Sequence, residues 1–195
     1  MHGLVAIGMD GQVLRPAIIW CDQRSVAQKE LIETMFSIEQ LGELVQNRAS
    51  TGFLLLSLLW LKQHEPETYE KIWKVMLPKD YIRYRLTGEV GTESTDASGT
   101  LAYEVANKRW SNELLGQLGI DPELLPTVRE PWEVAGGLTT EAANDCAIPA
   151  GHLQRTTRDE DSCVLRMGIR NGEIVNWEIG MESCTEYNNF LDFYG

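Results

Sequence analysis

The chain has 195 residues, 43% of them apolar, enough to bury one sizeable core or two small ones and too many for a disordered segment. Its 29 acidic side chains outnumber 17 basic ones, and the net charge of −12 argues against a nucleic-acid footprint or an anionic-membrane patch, both of which need clustered Lys and Arg. A phosphate-bearing ligand would have to be held by local dipoles or a metal ion instead.

The first predicted element is a hairpin. Leu4, Val5, Ala6 and Ile7 precede Asp10-Gly11, whose glycine tolerates positive φ, and Val13, Leu14, Ala17, Ile18 and Ile19 follow. Ser25 with Gln28 three places on predicts a capping box, and Leu31, Met35 and Ile38 continue at helical spacing. Phe53 to Leu61 is apolar nearly all round, which a surface helix cannot be, so it is a buried helix or an interface. Pro66 ends that helix and starts the next.

"VMLPKDYIRYRLTGE" predicts a strand, a proline turn and a helix with Tyr81, Ile82 and Leu86 inward, closed by Gly88. "TESTDASGT" reads as a loop by composition. Caps follow at Ser111, with Gly119 as the stop, at Asp121 before Pro122, and at Thr140 before "IPAG". From Gly151 the texture changes: "HLQRTTRDED" is almost without apolar residues, although Asn171-Gly172 between Ile169 and Ile174 predicts one more hairpin. Helices mixed with strands throughout indicate an α/β class. No stretch reads as a signal peptide or reaches the roughly 18 apolar residues of a spanning helix, so the expected location is the cytoplasm. Cys21, Cys146, Cys163 and Cys184 are far apart, as reduced cytosolic thiols are, and with His2, His64 and His152 equally scattered no zinc spacing is present.

Three polar constellations carry chemistry. His2, Trp20, Asp22 and Arg24 stand at the open ends of the hairpin, and an aromatic face beside a polar fork suits a sugar. The same residues also suit a core tryptophan followed by a helix cap with a surface ion pair. Thr95, Asp96, Ser98 and Thr100 of "TDASGT" have the composition of a phosphate cradle without its spaced glycines and lysine, and fit a plain turn. Asp159, Glu160 and Asp161 could bind a metal or supply a base, and equally form a solvated loop.

The segments "MHGLVAIGMDGQVLRPAIIWCDQR", "TGFLLLSLLWLKQHEPE", "VMLPKDYIRYRLTGE" and "TDASGTLAYEVANKRWS", in this order, closely resemble the xylulokinases of the FGGY carbohydrate kinase family. The resemblance covers residues 1 to about 150 and continues through "LLGQLGIDPELLP" and "EVAGGLTTEAA". It implies an actin-like, ribonuclease-H-like fold of two domains flanking a cleft, of which this chain is an incomplete first domain. It also implies transfer of the ATP γ-phosphoryl group to D-xylulose with Mg2+, or to another pentulose or polyol, so the expected partner is a small-molecule ketose rather than nucleic acid or membrane. Met1, His2 and Gly3 match the last three positions of the family's Gln-Met-His-Gly sugar segment, and Trp20, Asp22 and Arg24 match its Trp-x-Asp-x-Arg pattern.

The resemblance further implies departures. The family's Asp-x-Gly-Thr phosphate and magnesium loop precedes the point at which this chain begins, so the main ATP and Mg2+ motifs are expected outside it. Losing groups that hold a transferring phosphate costs many orders of magnitude in rate, so the chain is expected to be a kinase fragment that is inactive alone; the alternative reading is a non-catalytic ketose-binding or misfolded remnant. Counting back from Gly168 puts Asp159 at the family's general base, although Arg158 replaces the glycine before it. The expected organisation is residues 1–150 as the central part of the sugar-binding domain and 151–195 as a divergent tail of it, through a shifted reading frame or ordinary divergence. Missing edge strands would leave strand edges open to self-association.

Overall fold

The computed structural model describes residues 2–146, 153–155, 163–170 and 173–181. They divide into two compact units, Met1–Tyr84 with Val90–Glu130 and Arg85–Glu89 with Pro131–Gly195.

In the first unit, β1 (Val5–Ile7) is buried on both faces. Leu4 and Ala6 pack into the main core, while Val5 and Ile7 join Met76 in a smaller one, the period-2 alternation of a strand. The predicted hairpin forms around Gly11, at φ 75°. Its return arm is no regular strand: it meets the first only at the Leu4–Ile18 and Ile7–Val13 bridges, and Pro16 between them has no N–H to donate. The other edge of β1 is taken by β2 (Lys74–Met76), antiparallel, with Val5 opposite Met76.

Helix α1 (Val26–Met35) begins after Ser25, but there is no capping box there. Ser25 donates instead to the Thr51 carbonyl at 3.4 Å, and the Gln28 amide is buried against Gln63. The inward face of α1 is Gln28 and Ile32, whereas Leu31, Met35 and Ile38, the apolar residues at helical spacing, are exposed. The box is at the next helix, α2 (Ile38–Val45), between Ser37 and Gln40. α3 (Leu54–His64) buries Leu54, Leu55, Leu56, Leu58, Leu59 and Leu61, as its nearly all-apolar run predicts. Each such leucine contributes about 1.5–3 kcal/mol through burial. Pro66 opens α4 (Pro66–Tyr69) at the first-turn position where its missing N–H costs nothing.

α5 (Pro78–Thr87) follows β2 as predicted, with Gly88 at φ 74° behind it. Its most buried residues are Asp80, Arg83 and Thr87, while Tyr81, Ile82 and Leu86 are only half-buried. The stretch expected to be a loop is ordered as β3 (Thr92–Glu93), α6 (Ser94–Ala97) and a 3-10 turn, Ser98–Thr100. The Ser98 and Thr100 hydroxyls and the Glu93 carboxylate bond to nearby backbone and so cap turns rather than loosen them. β4 (Tyr103–Glu104) and β5 (Arg109–Trp110) pair antiparallel. α7 (Asn112–Leu118) has the predicted Ser111 cap and Gly119 stop, Asp121 accepts from the Glu123 N–H, and β6 (Val128–Arg129) runs parallel to β3.

In the second unit, β7 (Val134–Gly137) pairs antiparallel with β8 (Leu153–Arg155). α8 (Thr140–Cys146) is capped one residue earlier than predicted, by Thr139, whose Oγ1 accepts from the Ala142 N–H at 3.2 Å. β9 (Cys163–Arg170) and β10 (Glu173–Met181) pair antiparallel with Ile169 opposite Ile174, the register that Asn171-Gly172 predicts; those two turn residues lie outside the described set. No helix of the described residues is long and apolar enough to cross a membrane.

Candidate functional site

The open end of the hairpin is fixed by main-chain bonds. Leu4 and Ile18 exchange both of theirs, at 2.8 and 3.0 Å, and His2 and Trp20 stand two positions beyond on the two arms. A Cβ on Gly3 would lie 2.5 Å from the Ile18 carbonyl, so the arms approach closely because residue 3 has no side chain. The chain then turns, the Asp22 N–H donating to Ile19 O at 3.0 Å, and the Trp20 carbonyl presses against Gly52, where a Cβ would overlap it. Trp20 is 63% exposed.

Asp22 and Arg24 are committed to each other. Arg24 Nε and Nη2 donate to the two carboxylate oxygens at 2.9 and 2.7 Å, and the Arg24 N–H adds a third bond at 2.9 Å. Those hydrogen bonds hold the Asp22 carboxyl below its ordinary range. The guanidinium lies 4.8 Å from the centre of the Trp60 ring, which in turn stacks on His64 at 4.7 Å. Thr51 donates to the Gln23 side chain at 2.8 Å, so the loops before α1 and before α3 are tied together.

His2 meets two residues that the sequence reading did not assign to the site. Phe53 presents its ring edge-on, centroids 5.7 Å apart, and Gly99 lies so close to the Nδ1–Cε1 edge of the imidazole that a Cβ there would overlap both atoms. His2 Nδ1 is buried with no hydrogen-bond partner. The signal for Gly99 was its place inside "TDASGT", which composition alone reads as a phosphate cradle or a turn. Met1 and Asp159, with Glu160 and Asp161, lie outside the described residues, so His2, Trp20, Asp22 and Arg24 are the expected site residues that the structure places.

Behind Gly99 is a charged cluster that sequence reading missed. Lys79 Nζ lies 3.3 Å from Asp80, 3.1 Å from Glu93 and 3.1 Å from Asp96, and Arg83 lies 3.4 Å from Asp80. Burial works against the charge on Lys79, but the three carboxylates outweigh it and its pKa is raised. Burial also raises Asp80 despite its two cations. For Glu93 burial is outweighed by Lys79 and by the N–H groups of Asp96 and Thr95, and its pKa is lowered. Asp96 thus serves Lys79, and Thr100 serves the Ala97 carbonyl and the Ala102 N–H. Among the described residues no group of three or more His, Cys, Asp or Glu side chains could hold a metal ion. Two open grooves of about 530 and 430 Å³ share Lys74 and Glu123 and are lined by none of His2, Trp20, Asp22 or Arg24.

Comparison with known proteins gives consistent matches. The model of the FGGY family of carbohydrate kinases, N-terminal domain, matches residues 1–152. A xylulose kinase of Staphylococcus xylosus is 45% identical over 197 aligned residues, which cover 97% of this chain and 41% of that protein. A solved xyloylose kinase from Brucella ovis superposes with a TM-score of 0.73 at 32% identity, over 80% of this chain and 32% of its own. A gluconate kinase from Lactobacillus acidophilus superposes with a TM-score of 0.75 at 26% identity, over 86% and 37%. The chain therefore spans about two fifths of the length of the Staphylococcus relative and about a third of each of these structures.

Proposed function

Because the chain belongs to the FGGY family of carbohydrate kinases, we propose that it supplies the sugar-binding part of a cytoplasmic, ATP-dependent kinase that phosphorylates D-xylulose. Residues 1–150 form the sugar-binding part on this reading, and 151–195 form a divergent continuation of the same domain; the Staphylococcus alignment, running over 97% of the chain, supports the continuity. The observation that carries the reading is local: His2 and Trp20, at positions that match the family's sugar motifs, lie two residues beyond the Leu4–Ile18 pair on the two arms of one hairpin, and Asp22 and Arg24 follow directly on the second arm. There the Trp20 indole is open to a ligand and the Asp22–Arg24 fork is locked onto Trp60.

On this reading Trp20 gives an apolar face to the C–H side of the sugar and His2 gives a directed hydrogen bond, and Met1 is assigned to the same sugar motif by its sequence position alone. Asp22 and Arg24, already paired, bind hydroxyls as a preformed unit, at little cost in side-chain ordering. Asp159 is the general base of the proposal. ATP and Mg2+ would supply the transferred phosphoryl group and charge neutralisation in this family.

The test is a titration of the chain with D-xylulose, read by tryptophan fluorescence. Trp20→Ala should abolish the response and His2→Ala should weaken binding about tenfold or more, while both variants keep the wild-type melt. A folded wild-type chain indifferent to D-xylulose would refute the sugar reading. The likeness to a gluconate kinase favours one alternative, a different polyhydroxylated substrate, which would show as gluconate outcompeting D-xylulose in the same titration. ADP release dependent on D-xylulose and Mg2+ in a coupled assay tests the kinase step itself.

A further inference from the structure

We propose that Gly99 is a positioning residue for the sugar site: its bare Cα covers Nδ1 of His2 and thereby fixes the imidazole in the tautomer that carries its proton on Nε2. The inference about the tautomer stands on packing alone; its use in sugar binding rests on the function proposed above.

A neutral imidazole has one N–H and one lone pair, and the hydrogen bond that each nitrogen makes decides which is which. His2 Nδ1 is buried and unpartnered. Orphaned buried N–H groups are rarer and more costly than unsatisfied acceptors, so the lone pair belongs on Nδ1 and the proton on Nε2. Nε2 is then a hydrogen-bond donor, suited to a hydroxyl or carbonyl oxygen of a ketose. His64 is an internal contrast: its Nδ1 lies 3.0 Å from the Trp60 carbonyl, which can only accept, so His64 has its proton on Nδ1.

The segment carrying Gly99 is held on every side. Asn47 Nδ2 donates to Ser98 O at 2.8 Å, and Thr100 Oγ1 donates to Ala97 O at 2.6 Å. Upstream, Glu93 accepts the Thr95 and Asp96 N–H groups at 2.7 and 2.9 Å, and Asp96 is paired with Lys79. A methyl group on residue 99 therefore cannot be relieved by backbone movement. The imidazole must swing, which uncovers Nδ1 and turns Nε2 away.

Nitrogen-15 NMR of the uniformly labelled chain at about pH 8.5, where an ordinary imidazole is neutral, reads the tautomer directly. His2, identified by the signal lost in His2→Gln, should show the Nε2–H pattern and His64 the Nδ1–H pattern. An Nδ1–H or averaged pattern at His2 overturns the proposal. Gly99→Ala should average the His2 signal, leave that of His64 in place, and raise the Kd for D-xylulose about tenfold or more. An unchanged His2 pattern in that variant also overturns it. Should Gly99→Ala not fold, two side-chain replacements decide the matter. The amide of His2→Gln reaches the Nε2 position and that of His2→Asn only the Nδ1 position, so the glutamine variant should bind D-xylulose more tightly, and the reverse order refutes the assignment. If His2 has the Nε2–H tautomer and D-xylulose perturbs none of its resonances, the packing inference holds and the sugar reading is what fails.

Discussion

At the scale of single residues, the same added methyl group has opposite consequences at different glycines. At Gly52 it would overlap the Trp20 carbonyl, a backbone atom that cannot step aside, so Gly52→Ala should destabilise by about 1–3 kcal/mol and red-shift Trp20 emission by disturbing its loop. Gly42 and Gly116, on the exposed faces of α2 and α7, have nothing within 4 Å of an added Cβ. Gly42→Ala and Gly116→Ala should therefore each stabilise by about 0.5–1 kcal/mol, since alanine loses less chain entropy on entering a helix. Urea melts of the three variants check both signs, and a stabilised Gly52→Ala would mean that Trp20 does not sit where the structure puts it. The local sequence separates these glycines poorly, because the neighbour that forbids a side chain at 52 comes from the far end of the hairpin. Residues 2, 20, 22 and 24 were legible as a candidate site because they match a family motif. Phe53 and Gly99 were not, because tertiary approach alone brings them to His2.

At the scale of elements, two identical Ser-x-x-Gln signals behave differently, and the reason lies in which face of a helix is buried. Gln28 faces the core with Ile32 and its amide is bound to Gln63, so it cannot reach back to cap; Gln40 is on the solvent side and does. Ser37→Ala should cost about 1 kcal/mol. A run apolar nearly all round found α3, whose first turns are buried on every side, but apolar periodicity misplaced the inward face of α5, where charged side chains are buried by pairing with one another. That cluster has a pH signature. With its pKa lowered, Glu93 binds fewer protons in the native chain than in the unfolded one. Its stabilisation is complete above the ordinary glutamate value of about 4.3 and is lost as pH falls through the lower folded value. Asp80, with its pKa raised, acts in the opposite sense, contributing a loss of stability as pH rises from about 3.9 through its higher folded value. Glu93→Gln should therefore lower stability at neutral pH by about 1–3 kcal/mol and flatten the acid limb of the stability curve, whereas Asp80→Asn should steepen it. Urea melts at several values between about pH 3 and pH 7 read both slopes.

At the scale of the whole molecule, charge is the property most directly written in the sequence and the one that local structure offsets least. With 29 acidic and 17 basic side chains the native chain carries an excess of 12 negative charges, which repel one another more strongly in the compact state than in the expanded one. Salt screens that repulsion and also screens the attractive pairs, so the sign of its effect depends on where the pairs are. The Lys108–Glu130 and Lys29–Glu33 pairs are substantially exposed, and exposed pairs contribute about 0–1 kcal/mol each, so little is lost when they are screened. The Lys79–Asp80–Glu93 cluster is buried behind β3 and α5 and is screened far less than the surface. Relief of surface repulsion therefore outweighs the loss of pairing. The Tm at neutral pH should rise by about 2–6 °C between about 20 mM and 0.5 M NaCl, and Asp→Asn or Glu→Gln changes at unpaired surface positions should reduce that gain in step with the charge removed. A fall in Tm over the same range would mean that surface ion pairing, not net repulsion, governs the stability of this fold.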